Sequence, residues 1–183
     1  MREKVMQCIY RVIAEDAFKL KPPTSGTHRT YWMSVPRRVS VADIVGYIIE
    51  DIRSKGDQLD KFQLLGHGDS GIMTIGEEWN VTSIAPIHLL KPYFVDMAFG
   101  IQLLGCGVAS STSIVSGNRI ILGSFSVSGA GYQLMRRMAQ LTGVCVEAGI
   151  HVQVQDPFYD IEGSAIRVYP DGTWENFIGG SNE

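Results

Sequence analysis

Phe62-Gln63-Leu64-Leu65-Gly66-His67-Gly68-Asp69-Ser70-Gly71 is a short apolar run that stops at a His-Gly pair. The pattern recurs once. Gly100-Ile101-Gln102-Leu103-Leu104-Gly105-Cys106-Gly107 is a second short apolar run, and it stops at Gly-Cys-Gly. Apolar runs of this length, bounded by turn residues, read as buried strands. We place both in one sheet, with His67 and Cys106 at strand ends that face the same rim. Ligands of open α/β sheets collect at the carboxyl ends of the strands. The rest of the chain is then expected to hold this imidazole and this thiol side by side.

The segment before the first run carries the clearest helix. Val41, Ile44, Val45, Ile48, Ile49 and Ile52 recur at helical spacing. Ser40 stands where an N-cap belongs, Asp43 lies in the first turn, and Gly56 is placed to end the helix. Upstream, Val5 to Ala14 reads as a strand in preference to a short helix, Lys21-Pro22-Pro23-Thr24-Ser25-Gly26 as a loop, and Thr30 to Val35 as a strand or part of that loop. Downstream, Ile72 to Gly76 reads as a short hairpin arm. Trp79 to Pro92 reads as a loop with one or two helical turns. After the Cys106 run come a loop of small polar residues (Ser110 to Ser116) and a short strand or hairpin (Asn118 to Phe125). A second helix runs from about Gly131 to Thr142, with Leu134, Met135, Met138 and Leu141 on one side and Arg136, Arg137 and Gln140 on the other. Val144 to Ala148 is a strand. Ala165 to Tyr169 and Thr173 to Phe177 form a terminal hairpin around Pro170-Asp171-Gly172. Strands alternating with helices predict an α/β fold, a mostly parallel sheet flanked by helices on both faces, with a C-terminal hairpin.

Bulk properties narrow the function. A chain of 183 residues suits one domain over 1–183, with no separate linker or prodomain expected. The net charge of -3, without a basic stripe, argues against a nucleic-acid partner. No apolar run approaches the ~20 residues needed to span a bilayer, and the N-terminus lacks the apolar core of a signal peptide. Cys8, Cys106 and Cys145 are an odd count without a pairing pattern, as in a reducing, cytoplasmic compartment. Cys8 and Cys145 sit in apolar surroundings and read as buried and inert.

Two motifs compete with the His/Cys reading. Gly66-His67-Gly68-Asp69-Ser70-Gly71 spells G-x-G-x-x-G after a strand, but no amphipathic helix follows to hold a pyrophosphate, so no nucleotide cofactor is expected. Gly68-Asp69-Ser70-Gly71 resembles a protease serine motif. A nucleophile elbow needs glycine where Ile72 stands, so Ser70 reads as a turn residue. His67 and Cys106 each end an apolar run, between glycines that let the backbone approach a ligand. A thiolate nucleophile needs a nearby imidazole and two convergent donors for the oxyanion. The backbone N–H groups of Gly68 and Cys106 are the expected donors.

An apolar strand ending in His-Gly, then about forty residues, then an apolar strand ending in Gly-Cys, resembles the caspase–gingipain–clostripain–separase group of cysteine peptidases. The run Gly131-Tyr132-Gln133-Leu134-Met135-Arg136-Arg137-Met138 and the late Tyr169-Pro170-Asp171-Gly172 hairpin are similar to a caspase-like domain found at the front of bacterial adhesins. The resemblance implies a cysteine endopeptidase acting on a protein or peptide, with Cys106 as nucleophile and His67 as general acid–base. Gly68 and Cys106 would supply the oxyanion N–H groups. It also implies that the loop Gly149 to Asp160 helps form the pocket for the substrate residue preceding the scissile bond. Asp156 and Asp160 are the substrate-binding candidates there, suited to Lys or Arg by charge pairing. With Glu162 they could instead hold calcium. The family also contains members without peptidase activity, so a catalytically silent caspase-like interaction module is the alternative.

Overall fold

The computed structural model describes residues 6–16, 29–96, 98–112, 115–116, 119–120, 123–151, 161 and 163–179. Its centre is a seven-stranded sheet. In chain order the strands are β1 (Gln7–Ala14), β2 (Arg29–Val35), β3 (Gln58–Leu65), the small antiparallel set β4 (His67–Asp69), β5 (Ile72–Ile75) and β6 (Glu77–Trp79), β7 (Gly100–Leu104), the pair β8 (Val115–Ser116) and β9 (Arg119–Ile120), β10 (Val146–Gly149), β11 (Gly163–Val168) and β12 (Trp174–Gly179). The main sheet has the order β12-β11-β10-β7-β3-β1-β2. β2, β1, β3, β7 and β10 are parallel, and the hairpin β11–β12 adds two antiparallel pairings. The α/β class, the mostly parallel sheet and the terminal hairpin are thus as the sequence predicts.

The two matching runs of the sequence are neighbours in register. Phe62 pairs with Ile101, Gln63 with Gln102, Leu64 with Leu103 and Leu65 with Leu104. Alternation then divides the two faces. Phe62, Leu64, Ile101, Leu103, Val146 and Ala148 point into the main core. Helix α1 (Val41–Lys55) covers that face with Val41, Ile44, Val45, Ile48 and Ile52. Ser40 caps it, its hydroxyl accepting from the Asp43 N–H at 3.1 Å. Gly56 closes it in the left-handed region, at φ 67°, where glycine carries no Cβ penalty. Helix α2 (Ala130–Thr142) covers the same face with Leu134, Met135, Met138 and Ala139, leaving Arg136, Arg137 and Gln140 exposed, so among the described residues the helices flank one face of the sheet and not both as the sequence predicts. Between them lies a 3-10 helix, Ala85–Tyr93, which contributes Ile87 and Leu90. It is longer than the one or two turns the sequence predicts, and a proline near its start suits the first helical turn, where an N–H would lack a partner.

The opposite face carries an unexpected polar row. Arg11, Gln63, Gln102, Glu147, Arg167 and Glu175 sit on consecutive paired strands at one level. They are joined side chain to side chain. Arg11 Nε donates to Gln63, Gln63 Nε2 to Gln102 Oε1 at 2.6 Å, and Gln102 Nε2 to Glu147 Oε2 at 2.9 Å. Arg167 donates to Glu147 Oε1 and to Glu175 Oε1, each at 2.7 Å. Above this row a small apolar cluster forms from Leu65, Leu104, Ile161 and Ala165.

Among the described residues no helix is long and apolar enough to cross a membrane.

Candidate active site

Five parallel strands deliver their carboxyl ends to one rim, and each end is followed closely by a polar residue. Asp16 follows β1, Arg37 follows β2, His67 follows β3, Cys106 follows β7 and His151 follows β10. The register of β3 and β7 brings Gly66 and Gly105 level, so the residues after them leave the sheet together. The Gly66 N–H donates to Leu104 O at 3.3 Å. A Cβ on Gly68 would lie 2.9 Å from the Gly105 carbonyl carbon and 3.0 Å from the Cys106 nitrogen. The His67–Gly68 and Cys106 segments are therefore packed backbone to backbone. The same contact places the two expected oxyanion donors, at Gly68 and Cys106, on adjoining chain segments.

His67 does not begin a helix. It opens β4, which pairs antiparallel with β5. The G-x-G-x-x-G lettering thus lacks the helix N-terminus that would bind a pyrophosphate. Ser70 lies in the β4–β5 turn and its hydroxyl donates to Ser110 O at 2.8 Å, a structural role.

The Cys106 turn is clasped from the other side by β10. The Gly107 N–H donates to His151 O at 2.8 Å and the Ala109 N–H to Gly149 O at 3.0 Å. The β4–β5 turn adds a third tie, Gly71 N–H to Val108 O at 3.0 Å. Cys106 itself is half-buried.

The other thiols differ in position and environment. Cys8, near the start of β1, is fully buried, and burial pushes its thiol up to about 12, with Asp57 adding to the effect. Cys145 precedes β10 at the opposite rim; burial raises its pKa as well, and its thiol points at Phe99 O, 3.3 Å away. Neither shares the Cys106 rim, and none of the three cysteines is in a disulfide.

The His67 side chain is 68% exposed, and its Nε2 lies 4.0 Å from Asp16 Oδ1. Asp16 is in turn gripped by Arg37, whose Nη2 and Nε donate to Oδ2 at 2.8 and 3.2 Å. That hydrogen bonding holds the Asp16 carboxyl below the usual carboxylate range. Asp16 is a member of the site that the sequence reading missed. Asp16 stands two residues beyond β1, as His67 stands two beyond β3, but only the strand order brings the two ends together. Next to Arg37, Arg38 is the one non-glycine residue with positive φ among the described residues, at 70°. Its N–H is tied to Gly76 O at 3.1 Å, which fixes the β2–α1 corner beside the site.

Asp156, Asp160 and Glu162, the acidic candidates of the sequence reading, lie outside the described residues. His88 stands apart on the 3-10 helix, its Nδ1 2.8 Å from Ala85 O.

No family model, curated protein or solved structure matches the chain. What the fold and the rim define is therefore a class: an α/β protein with a mostly parallel sheet and a cysteine and a histidine at adjoining strand ends.

Proposed function

We propose that this chain is a caspase-like cysteine endopeptidase, working in a reducing, cytoplasmic setting on a protein or peptide substrate. The observation that carries the reading is the packing of Gly68 against the Cys106 amide, which puts an imidazole-bearing and a thiol-bearing segment on one open rim. In the proposed reaction the Cys106 sulfur, as thiolate, attacks the peptide carbonyl carbon. The Gly68 and Cys106 N–H groups stabilise the oxyanion. The C–N bond breaks, and His67 as acid gives its proton to the leaving amine. A thioester remains. His67 then takes a proton from water, whose oxygen attacks the thioester carbonyl; the C–S bond breaks, releasing the acid and restoring the Cys106 thiolate beside protonated His67. Asp16, held by Arg37, faces His67 with a carboxylate oxygen 4.0 Å from Nε2.

The test is labelling by peptide electrophiles directed at thiols. We expect one adduct, on Cys106, lost in Cys106→Ala and slowed in His67→Ala. Equal labelling of Cys145 in folded protein would remove the basis for the proposal. A Cys106→Ala protein that keeps its full biological effect would point instead to a catalytically silent interaction module.

A further inference from the structure

Ser110 lies four residues beyond Cys106 and is completely buried. Its polar atoms are fully engaged. The hydroxyl donates to Thr112 O at 2.7 Å, with Ser124 O next nearest at 3.2 Å. It accepts from the N–H groups of Thr112 and Ser124, each at 3.3 Å. One proton and two lone pairs are all that a hydroxyl has. The Ser110 carbonyl accepts from the Ser70 hydroxyl at 2.8 Å and from the Gly131 N–H at 3.3 Å. Its own N–H donates to Gly107 O at 2.9 Å. One buried residue thus joins four segments: the Cys106 turn, the β4–β5 turn that follows His67, the chain at Ser124 and the first turn of α2.

Three of these segments meet backbone to backbone. A Cβ on Gly131 would lie 2.4 Å from the Ala109 carbonyl carbon, and one on Gly71 would lie 2.6 Å from the Ala130 carbonyl carbon. The Gly71 N–H also donates to Val108 O at 3.0 Å. The β4–β5 turn, the Cys106 turn and the start of α2 therefore close a ring, with Ser110 inside it. Cys106 itself stands between Gly105 and Gly107, whose backbones are permissive, so the local chain does little to fix the direction of the thiol. The ties at the far end of the turn must do so. The bond from Ser70 to Ser110 is a side-chain link between the hairpin that carries His67 and the turn that carries Cys106. A fully satisfied buried network holds one arrangement of the chain. Reacting groups need such support, because they must be kept within about 0.5 Å of the productive geometry.

We propose that Ser110 and Ser70 are positioning residues for the reaction at Cys106, setting the separation and angle between the thiol and the His67 imidazole. The inference rests on the reading of Cys106 as nucleophile and His67 as its acid–base. Both serines act through the turns they join. Ser110 has no exposed surface, and the Ser70 hydroxyl is directed at the Ser110 carbonyl.

Two measurements test it and separate its failure from that of the peptidase reading. Ser110→Ala strands two backbone N–H groups in the interior, so the decisive variants are at half-buried Ser70. In the first measurement, peptide cleavage and the urea midpoint are determined for wild type, Ser70→Ala and Ser70→Thr. Ser70→Ala lowers kcat about tenfold with KM unchanged, since attack geometry is sensitive to displacements of about 1 Å. Ser70→Thr keeps the hydroxyl and restores kcat. The urea midpoints of all three agree. An unchanged kcat in Ser70→Ala, or a loss that Ser70→Thr does not restore, overturns the proposal. A lowered midpoint with kcat intact in the folded fraction leaves only a structural role and overturns it too. In the second, the Ser70 substitutions are placed in Cys106→Ala protein and the amide NMR signals of Gly68 and Gly107 are followed. Signals that shift in Ser70→Ala and return in Ser70→Thr support the tie. Signals that stay in place overturn it, whatever the turnover. A shift without any wild-type cleavage overturns the role in the reaction and places the fault in the peptidase reading.

Discussion

Gly68 lies flush against Cys106: a methyl group on Gly68 would sit 3.0 Å from the Cys106 nitrogen and 2.6 Å from Val108 Cγ2. The contact follows from the pairing of β3 with β7, and it leaves no room for a side chain. Two of the three nearest atoms are backbone, which cannot swing aside. Gly68→Ala therefore forces the two strand ends apart. The expected cost in stability is ~1–3 kcal/mol, as for other overpacked sites. The expected loss in kcat/KM is larger, ~100-fold, because a displacement of about 1 Å spoils the attack geometry. Urea denaturation and steady-state kinetics on the same preparation check both. A variant that keeps full activity would show that the donors at this contact are not used.

Asp16 and Arg37 supply a second prediction. The Arg37 hydrogen bonds hold the Asp16 carboxyl low, so this pair is intact above the depressed pKa and is lost as pH falls through it. Arg37→Ala removes the largest cause, and the Asp16 carboxyl should move up toward its ordinary 3.8 in an NMR titration. Because the Asp16 oxygen facing His67 is 4.0 Å away, the carboxylate acts on the imidazole by charge. Asp16→Asn should lower peptidase kcat/KM about tenfold or more while leaving the urea midpoint nearly unchanged, since the pair is on the surface.

Much of this architecture is legible in the chain itself, and the reasons are physical. The two runs Phe62–Gly66 and Ile101–Gly105 repeat Gln-Leu-Leu-Gly, and they lie side by side with those residues in register. Helix α1 is readable because its stripe, its serine cap and its terminal glycine all agree. Asp16 was missed because nothing in a linear reading says that the end of β1 adjoins the end of β3; that is a matter of strand order. The two glutamines were missed for a similar reason. Gln63 and Gln102 interrupt apolar runs, and they are almost completely buried, yet only the pairing of four neighbouring strands gives each amide its partners. The 3-10 helix runs further than the one or two turns expected because Pro92 reads locally as a loop residue.

The thiols provide a third prediction, independent of any substrate. Cys8, raised to about 12 and fully buried, holds almost no thiolate at pH 8. Alkylation by iodoacetamide in folded protein should therefore modify the half-buried Cys106 well before Cys8. Unfolding should equalise the rates. The same shift makes stability depend on alkaline pH. An acid whose folded pKa is raised binds its proton more tightly in the native state. Its contribution is complete below the unfolded value of 9.0 and is lost as pH rises from there toward about 12. Cys8→Ala removes the thiol altogether, so its stability should fall less steeply between pH 9 and 12 than that of wild type.

The polar row on the second face of the sheet has a direction. Arg11 can only donate, so Gln63 must present its oxygen to Arg11 and its NH2 to Gln102. Gln102 must then present its NH2 to Glu147, which can only accept while ionised. The cation at one end and the carboxylate at the other thus fix both amides, and a slip of one strand by one residue would break the links that strand makes. Glu147 is the keystone, because it accepts from both Gln102 and Arg167. Glu147→Ala leaves the buried Gln102 amide without its acceptor and the Arg167 guanidinium with Glu175 alone, and should cost ~1–3 kcal/mol. Replacing the pair together, Glu147→Leu with Arg167→Met, removes the charge along with its partner and should recover most of that loss. Urea denaturation of the single and double variants makes the comparison. If the double variant is as unstable as Glu147→Ala, the row stabilises the sheet by more than mutual charge satisfaction. If both match wild type, the row contributes nothing measurable to stability.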